Sequence, residues 1–355
     1  MAGATNEGAT TEVGLVLQGG GALGAYEWGA IEALFDVMDG LQKQGRDIVL
    51  QAVTGVSIGA INAACVVGSA DRKDARDRLA ALWNDFMIGL PFAPSELNKA
   101  AALCWVPNFY IFSPGLTCLY DTRALLKTLS KHVDFSALNS SPTAFVVTST
   151  DVQNGRLRPF ANKSLPDIIP ITIGPEHILA SGSLPPQFPW TDVFDGGETR
   201  HFWDGGIVDN TPLGYAFDAF SPNDVDRALV VMNLFPQTSR LPDSLAHVND
   251  RVDQLRFGNR LLQDSANARR ISGLVETIAE LKQFIDSLST PLPANLKTLV
   301  DDALKFKFVR TIEVTLGPKK SFADEYGFRD FSAGGIKRRH DEGRDHALDI
   351  LQSRL

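Results

Sequence analysis

Two short apolar runs, each ending in a glycine turn that passes straight into a helical pattern, constrain this chain more than any other feature. Val13–Leu17 leads through Gln18 to Gly19-Gly20-Gly21 and then to a helical pattern from Ala25 to about Met38. Ile48–Val53 leads through Thr54 to Gly55-Val56-Ser57-Ile58-Gly59, with a helix from Ile58 to about Val67. Strand, tight turn and helix in that order open an α/β unit. Further strands at Ala144–Thr148, Ala228–Leu234 and Phe308–Leu316, with helices such as Thr122–His132 between them, extend the α/β reading. Trp190–Phe194 and Thr199–Trp203 flank Asp195-Gly196-Gly197-Glu198 and read as a hairpin.

Composition narrows the function classes. An apolar fraction of 44% with 21% charged residues excludes a disordered chain. Cys65, Cys104 and Cys118 form no C-x-x-C pair, so they read as reduced, mostly buried thiols. No His/Cys/Asp cluster has ligand spacing, so neither a metal nor another cofactor is expected. A net charge of −8 argues against a nucleic-acid binder, which needs a basic surface. No apolar run approaches the ~20 residues of a membrane span. Residues 1–11 are small and polar, without a cationic start or apolar stretch, and read as a disordered leader rather than a secretory signal. The expected location is cytoplasmic.

Residues 12–240 form the expected catalytic domain and 241–355 a mainly helical C-terminal region. In the latter, Leu245, Val248, Val252 and Leu255 step by helical spacing. Ile271, Leu274, Ile278, Leu281, Ile285 and Leu288 do the same after a slip in phase. Such a stripe serves a coiled-coil seam, a peripheral membrane contact, or packing onto the α/β core, and packing onto the core is the expectation here. Lys337-Arg338-Arg339, in a final helix from Ser332 to Leu355, is expected to be a solvated face.

The chemistry concentrates at the glycine turns. In Gly55-Val56-Ser57-Ile58-Gly59 a serine stands between strand and helix, and glycines two positions to either side let backbone approach closely. The following helix points free N–H groups and its positive end at an oxyanion formed there. Gly19-Gly20-Gly21-Ala22-Leu23-Gly24 has the G-x-G-x-x-G form of a dinucleotide loop. It lacks the acidic residue about 20 positions on, because Asp36 and Asp39 fall within or at the end of the first helix. Its other use is an oxyanion hole, with Gly20, Gly21 and the amide of Ile58 as donors. The histidines (His132, His177, His201, His247, His340, His346) lack active-site contexts, and only two strands precede Ser57, too few for an α/β-hydrolase elbow. Asp204-Gly205-Gly206, preceded by Phe202-Trp203, supplies a carboxylate that aromatics would desolvate into a better base.

The order of glycine-rich loop, G-x-S-x-G and Asp-Gly-Gly resembles the patatin-like phospholipases, over roughly Val13 to Phe235. Ala180-Ser181-Gly182-Ser183-Leu184-Pro185-Pro186 also resembles that family's segment between serine and aspartate. The resemblance implies a three-layer α/β/α fold, hydrolysis of acyl esters on lipids, Ser57 as nucleophile, Asp204 as its base, and an oxyanion hole from the first loop. Gly19, Gly24, Gly55, Gly59, Gly205 and Gly206 are the motif glycines. Leu23 stands where many members carry Arg or Lys, which weakens the expectation of a bound phosphate headgroup. Asp195-Gly196-Gly197 is a second Asp-Gly-Gly, but it fits the hairpin turn. The expected partner is a lipid or other acyl-ester substrate. The alternatives are an acyltransferase sharing the acyl-enzyme and a non-catalytic lipid-binding protein.

Overall fold

The structure is a computed structural model that describes residues 10–88, 93–94, 117–118, 120–221, 225–288, 291–304, 308–317 and 329–355. Cys104 and most of the expected leader lie outside the described residues; Cys65 is buried and Cys118 half-buried, both as free thiols. Strands β1 (Thr11–Leu17), β2 (Ile48–Gly55), β3 (Ala144–Asp151), β4 (Leu157–Ala161), β5 (Thr191–Asp195), β6 (Glu198–Asp204), β7 (Asp226–Asn233) and β8 (Arg310–Thr315) form one sheet. Its order is β8-β7-β1-β2-β3-β6-β5, with β4 on β3. The run β8-β7-β1-β2-β3 is parallel; β4, β6 and β5 are joined antiparallel. Gly196 and Gly197, at φ +64° and +92°, make the two-residue β5–β6 turn, a conformation that L side chains rarely adopt.

Strand alternation distributes the core over both faces of the sheet. Val13, Leu15 and Leu17 of β1 pack with Ala228, Val230 and Met232 of β7 in the larger core. That side is covered by α1 (Gly24–Lys43), α2 (Ile58–Val67), α3 (Arg72–Ile88), α4 (Arg123–His132), α5 (Phe135–Ser140) and α6 (Pro175–Ser181). Val16, Leu229 and Val231 face the other way, against Leu213 and Ala216 of α7 (Leu213–Asp218) and Leu261 of α8 (Leu245–Ser287). The result is the expected three-layer α/β/α arrangement. A further helix, α9 (Ala294–Ala303), follows α8.

Two parts of the C-terminal region join the α/β layers. β8 extends the sheet beyond β7, and α10 (Ala333–Arg354) lies on α1 at backbone contact. A Cβ added at Gly343 would stand 2.0 Å from the Tyr26 carbonyl oxygen, and one at Gly29 1.9 Å from that of His340. Polar pairs flank the seam: Arg344 reaches Asp36 at 2.8 Å and His340 Nε2 lies 3.1 Å from Glu32. Of the basic run, Lys337 and Arg338 are exposed as expected. Arg339 is buried and donates to the Asp330 carbonyl at 2.8 Å.

The expectation for α8 is overturned. Its apolar stripe does not pack on the core: Leu245, Val252, Leu255, Leu274, Leu281 and Leu288 are all exposed. The buried face carries Gly258, Leu261, Ser265, Ser272 and Val275, spaced with the same alternating steps of three and four apart from the half-buried Ala268 between them. Close approach decides which face turns inward, because small residues let a helix backbone near its neighbour, and Gly258 fits against Phe235. Hydrophobic periodicity alone reports the wrong face.

Gly343→Ala is therefore expected to force α10 off α1 and cost on the order of 2–4 kcal/mol. Gly273→Ala, in open space on α8, is expected to be neutral or to stabilise by about 0.5–1 kcal/mol. Urea denaturation of the two variants tests this; equal midpoints would refute the contact.

Candidate active site

The sheet brings Ser57 and Asp204 together through one shared strand edge. β4 pairs with Val146–Thr150 of β3, so β2 and β6, which also pair within this stretch, must lie on the opposite edge. β2 runs parallel to β3 and ends at Gly55 opposite Val147; β6 runs antiparallel and ends with Asp204 opposite Ser149. The two strands meet C-terminus to C-terminus. Ser57 emerges two residues beyond Gly55, directly before α2.

Ser57 sits at φ 56°, ψ −125°, a conformation costing a non-glycine residue on the order of 1–3 kcal/mol. Three contacts hold it there. Its N–H donates to Ser181 Oγ at 2.9 Å, and Ser181 Oγ donates to the Thr148 carbonyl at 2.7 Å. Gly59 lies so near the β1 end that a Cβ would stand 2.5 Å from the Leu17 carbonyl oxygen. Gly19 is equally close to the serine, its Cβ position falling 2.9 Å from Ser57 Cβ.

Asp204 is buried; its carboxyl interacts with the Ser57 hydroxyl and accepts a hydrogen bond from the Gly206 N–H at 2.8 Å. Its own N–H donates to the Ser183 carbonyl at 3.0 Å, and its carbonyl accepts from Thr150 Oγ at 2.9 Å. Burial outweighs the hydrogen bonds and pushes its pKa up to about 7. Gly205 passes against β3, where a Cβ would meet the Thr148 carbonyl at 2.4 Å. Phe202, buried two residues earlier on the same strand face, packs edge-on against Phe160.

The glycine loop adjoins this pair. Gly20 and Gly21 are partly exposed, and Gly21 has φ +54°. Among the described residues, the N–H groups of Gly20, Gly21 and Ile58 have no protein acceptor. Leu23 is buried in the larger core. Gly24 and Gly55 serve packing, the first against Ile58 and the second against the Gly59 carbonyl.

Asn210 was not anticipated as a site residue. Its side chain clamps Gly19 at both ends, accepting from the N–H and donating to the carbonyl at 3.1 Å each, and donates at 3.3 Å to the Phe257 carbonyl of α8. Gln18 likewise binds Thr211 Oγ and the Leu234 N–H. In the sequence Asn210 is an ordinary amide inside the run Ile207–Leu213, with no local signal that marks it. Ser181 and Ser183 were visible only as part of a resembling segment, without a role.

The rival residues lie elsewhere. Asp195 forms a two-point ion pair with Arg158, which holds its carboxyl below the usual range. His201 pairs with Asp192 at 2.7 Å, His132 with Asp85, His177 with the Gly174 N–H, His346 with Tyr26 and His247 with Asp243. Among the described residues no group of acidic, His or Cys side chains could hold a metal ion. No described helix is long and apolar enough to cross a membrane.

A family model described as patatin-like phospholipase matches residues 15–217, more than half of the chain, and the chain belongs to that family. Among solved structures, VipD from Legionella pneumophila aligns with a TM-score of 0.40 and 14% identity, over 97% of this chain and 67% of its own. The type III effector protein ExoU aligns with a TM-score of 0.34 and 15% identity, over 98% of this chain and 53% of its own. ExoU in its heterodimeric complex with SpcU, from Pseudomonas aeruginosa, gives 0.29 and 16% over 83% and 66%. The chain thus spans about half to two thirds of the length of these proteins. No curated protein matches it in sequence.

A carboxyl that is raised on folding holds its proton more tightly in the folded chain, so its ionisation opposes folding. Stability associated with Asp204 is complete below the unfolded value near 3.8 and is lost as pH rises through about 7. Asp204→Asn should therefore match wild type near pH 4 and exceed it at pH 8 by on the order of 2–4 kcal/mol. Denaturant titrations at the two pH values read this directly, and a variant less stable at pH 8 would refute the buried, raised carboxyl.

Proposed function

We propose that the chain is a serine hydrolase of lipid acyl esters, with Ser57 as nucleophile and Asp204 as general base. The observation that carries this reading is the junction of β2 and β6, which sets the buried Asp204 carboxyl, raised to about 7, beside Ser57, where it accepts a proton readily near neutral pH. Membership of the patatin-like phospholipase family supports lipid acyl esters as the substrate class.

In this reading Ser57 Oγ attacks the ester carbonyl carbon while its proton passes to Asp204. The oxygen that gains charge is received by the Gly20, Gly21 and Ile58 N–H groups. Collapse breaks the bond to the leaving alcohol, which takes the proton from Asp204, and leaves an acyl group on Ser57. Water then attacks the acyl carbon and gives a proton to Asp204; the bond from the acyl carbon to Ser57 Oγ breaks, Oγ takes that proton back, and the acid leaves. Ser181, through the Ser57 N–H, positions the nucleophile and does not touch the substrate.

A fluorophosphonate probe tests the assignment. Wild type should be labelled at Ser57, Ser57→Ala should not be labelled, and Asp204→Asn should react at least roughly 100-fold more slowly. Asp195→Asn should react as wild type does. The wild-type labelling rate should rise with pH up to about 7 and then level off, since Asp204 acts only when ionised. Labelling of folded Asp204→Asn at the wild-type rate would remove Asp204 as the base.

A further inference from the structure

Ser149 lies in the same row of the sheet as Asp204. β3 pairs Ser149 with Asp204 of β6 on one edge and with Arg158 of β4 on the other. Residues directly opposite on antiparallel strands project from one face, with Cβ atoms about 4.5–5.5 Å apart. The Ser149 and Asp204 side chains therefore stand side by side, on the face that Val147 and Phe202 present to the larger core. Ser149 is fully buried, yet its hydroxyl has no hydrogen-bond partner among the described residues. A buried hydroxyl left unsatisfied costs stability, so its partner is to be sought in another state of the site.

The surroundings of Ser149 leave one acceptor for its proton. Arg158 offers donors alone, and its Nε and Nη2 are taken by Asp195 at 2.9 and 2.7 Å. Along β3 on the same face, Val147 is apolar, and Asp151 accepts from the Gln153 and Asn154 N–H groups and the Asn154 amide in the turn beyond the strand. The Asp204 carboxyl has Ser57 beside it and the Gly206 N–H bonded to it, whereas an ionised carboxylate accepts about four donors. A turn about Ser149 χ1 between staggered positions swings its hydroxyl toward β6.

We propose that Ser149 is a positioning residue for the base: when Asp204 is ionised, the Ser149 hydroxyl turns and donates a hydrogen bond to its carboxylate. The proposal rests on Asp204 acting as the base. The bond is strongest while the carboxyl is charged and weakens once the Ser57 proton arrives, so it keeps the base ready in a site where burial opposes charge. No charged group does this instead, since burial, Ser57 and Gly206 account for the Asp204 shift. Charged groups on the surrounding elements are engaged elsewhere. Arg158 holds Asp195, Arg200 lies 3.8 Å from Asp151, and His177 of α6 accepts from the Gly174 N–H with Glu176 at 3.3 Å. Asp209 accepts from the Thr211 N–H, Glu27 of α1 from Asn62, and α2 carries no charged residue.

The pH profile of fluorophosphonate labelling tests this. Ser149→Ala should raise the midpoint by about one pH unit, slowing labelling about tenfold well below the midpoint and recovering as pH rises. A packing defect would slow labelling equally at every pH. Ser149→Thr, which retains the hydroxyl, should keep the wild-type midpoint. Ser265 on α8 is likewise buried without a partner among the described residues, and Ser265→Ala should leave the midpoint unchanged. Denaturant titrations read the same carboxyl without turnover. The stability lost as pH rises should go on falling about one unit further in Ser149→Ala than in wild type, and that difference should vanish in the Asp204→Asn background. This second arm reads the hydrogen bond by itself, whereas wild-type labelling of Asp204→Asn would remove the base assignment. An unshifted midpoint in folded Ser149→Ala, a loss equal at all pH values, or an equal shift in Ser149→Thr or Ser265→Ala would each overturn the proposal.

Discussion

Everything at the candidate active site depends on β3 giving one of its edges to two strands that arrive from opposite directions. β2 leaves that edge at Val147 and β6 takes it up at Ser149. Between them the Thr148 carbonyl accepts from Ser181 and crowds Gly205. Because the strands meet end to end, the turn leaving each is thrown toward the other. The serine on one turn and the carboxylate ending the other strand become neighbours despite lying 147 residues apart in the chain. The glycines there are consequences of this crowding, since backbone reaches backbone on both sides of the junction.

Strain and burial oppose stability at this junction. Ser57 occupies a backbone conformation that its residue type disfavours, and Asp204 is desolvated with no cationic partner among the described residues. Ser181 holds the Ser57 backbone, Ser183 and Thr150 hold that of Asp204, and Asn210 holds Gly19 beside them. A frame of this kind fixes direction as well as position, because each hydrogen bond restricts an angle that a hydrophobic contact leaves free.

Much of this was legible in the sequence. The first two strand-turn-helix units were read within a few residues of their observed bounds, because apolar runs broken by glycine leave little choice of local structure. Asp204 could be preferred to Asp195 because a two-glycine hairpin turn already accounts for the latter. The polar frame was not legible. Asn210, Gln18 and Thr150 are ordinary residue types whose partners lie 191, 193 and 54 positions away, and no local pattern encodes such pairings. The α8 stripe misled for a related reason. Hydrophobic periodicity finds a face that is apolar, whereas the face that packs was selected by size, and Gly258, Ser265 and Ser272 carry almost no hydropathy signal.

The shared edge of β3 also acts as a ruler with coarse divisions. A strand advances by about 3.3 Å per residue and alternates its faces at every step. Insertion of one residue into β6 would both shift the carboxylate by a full division and turn it to the opposite side of the sheet. The separation of serine and aspartate therefore cannot drift gradually through insertions and deletions in these strands. A length change that leaves the pair in place must fall outside these strands, as in the connection away from α2. Variation in what reaches the pair from outside can accumulate there without disturbing the pair itself.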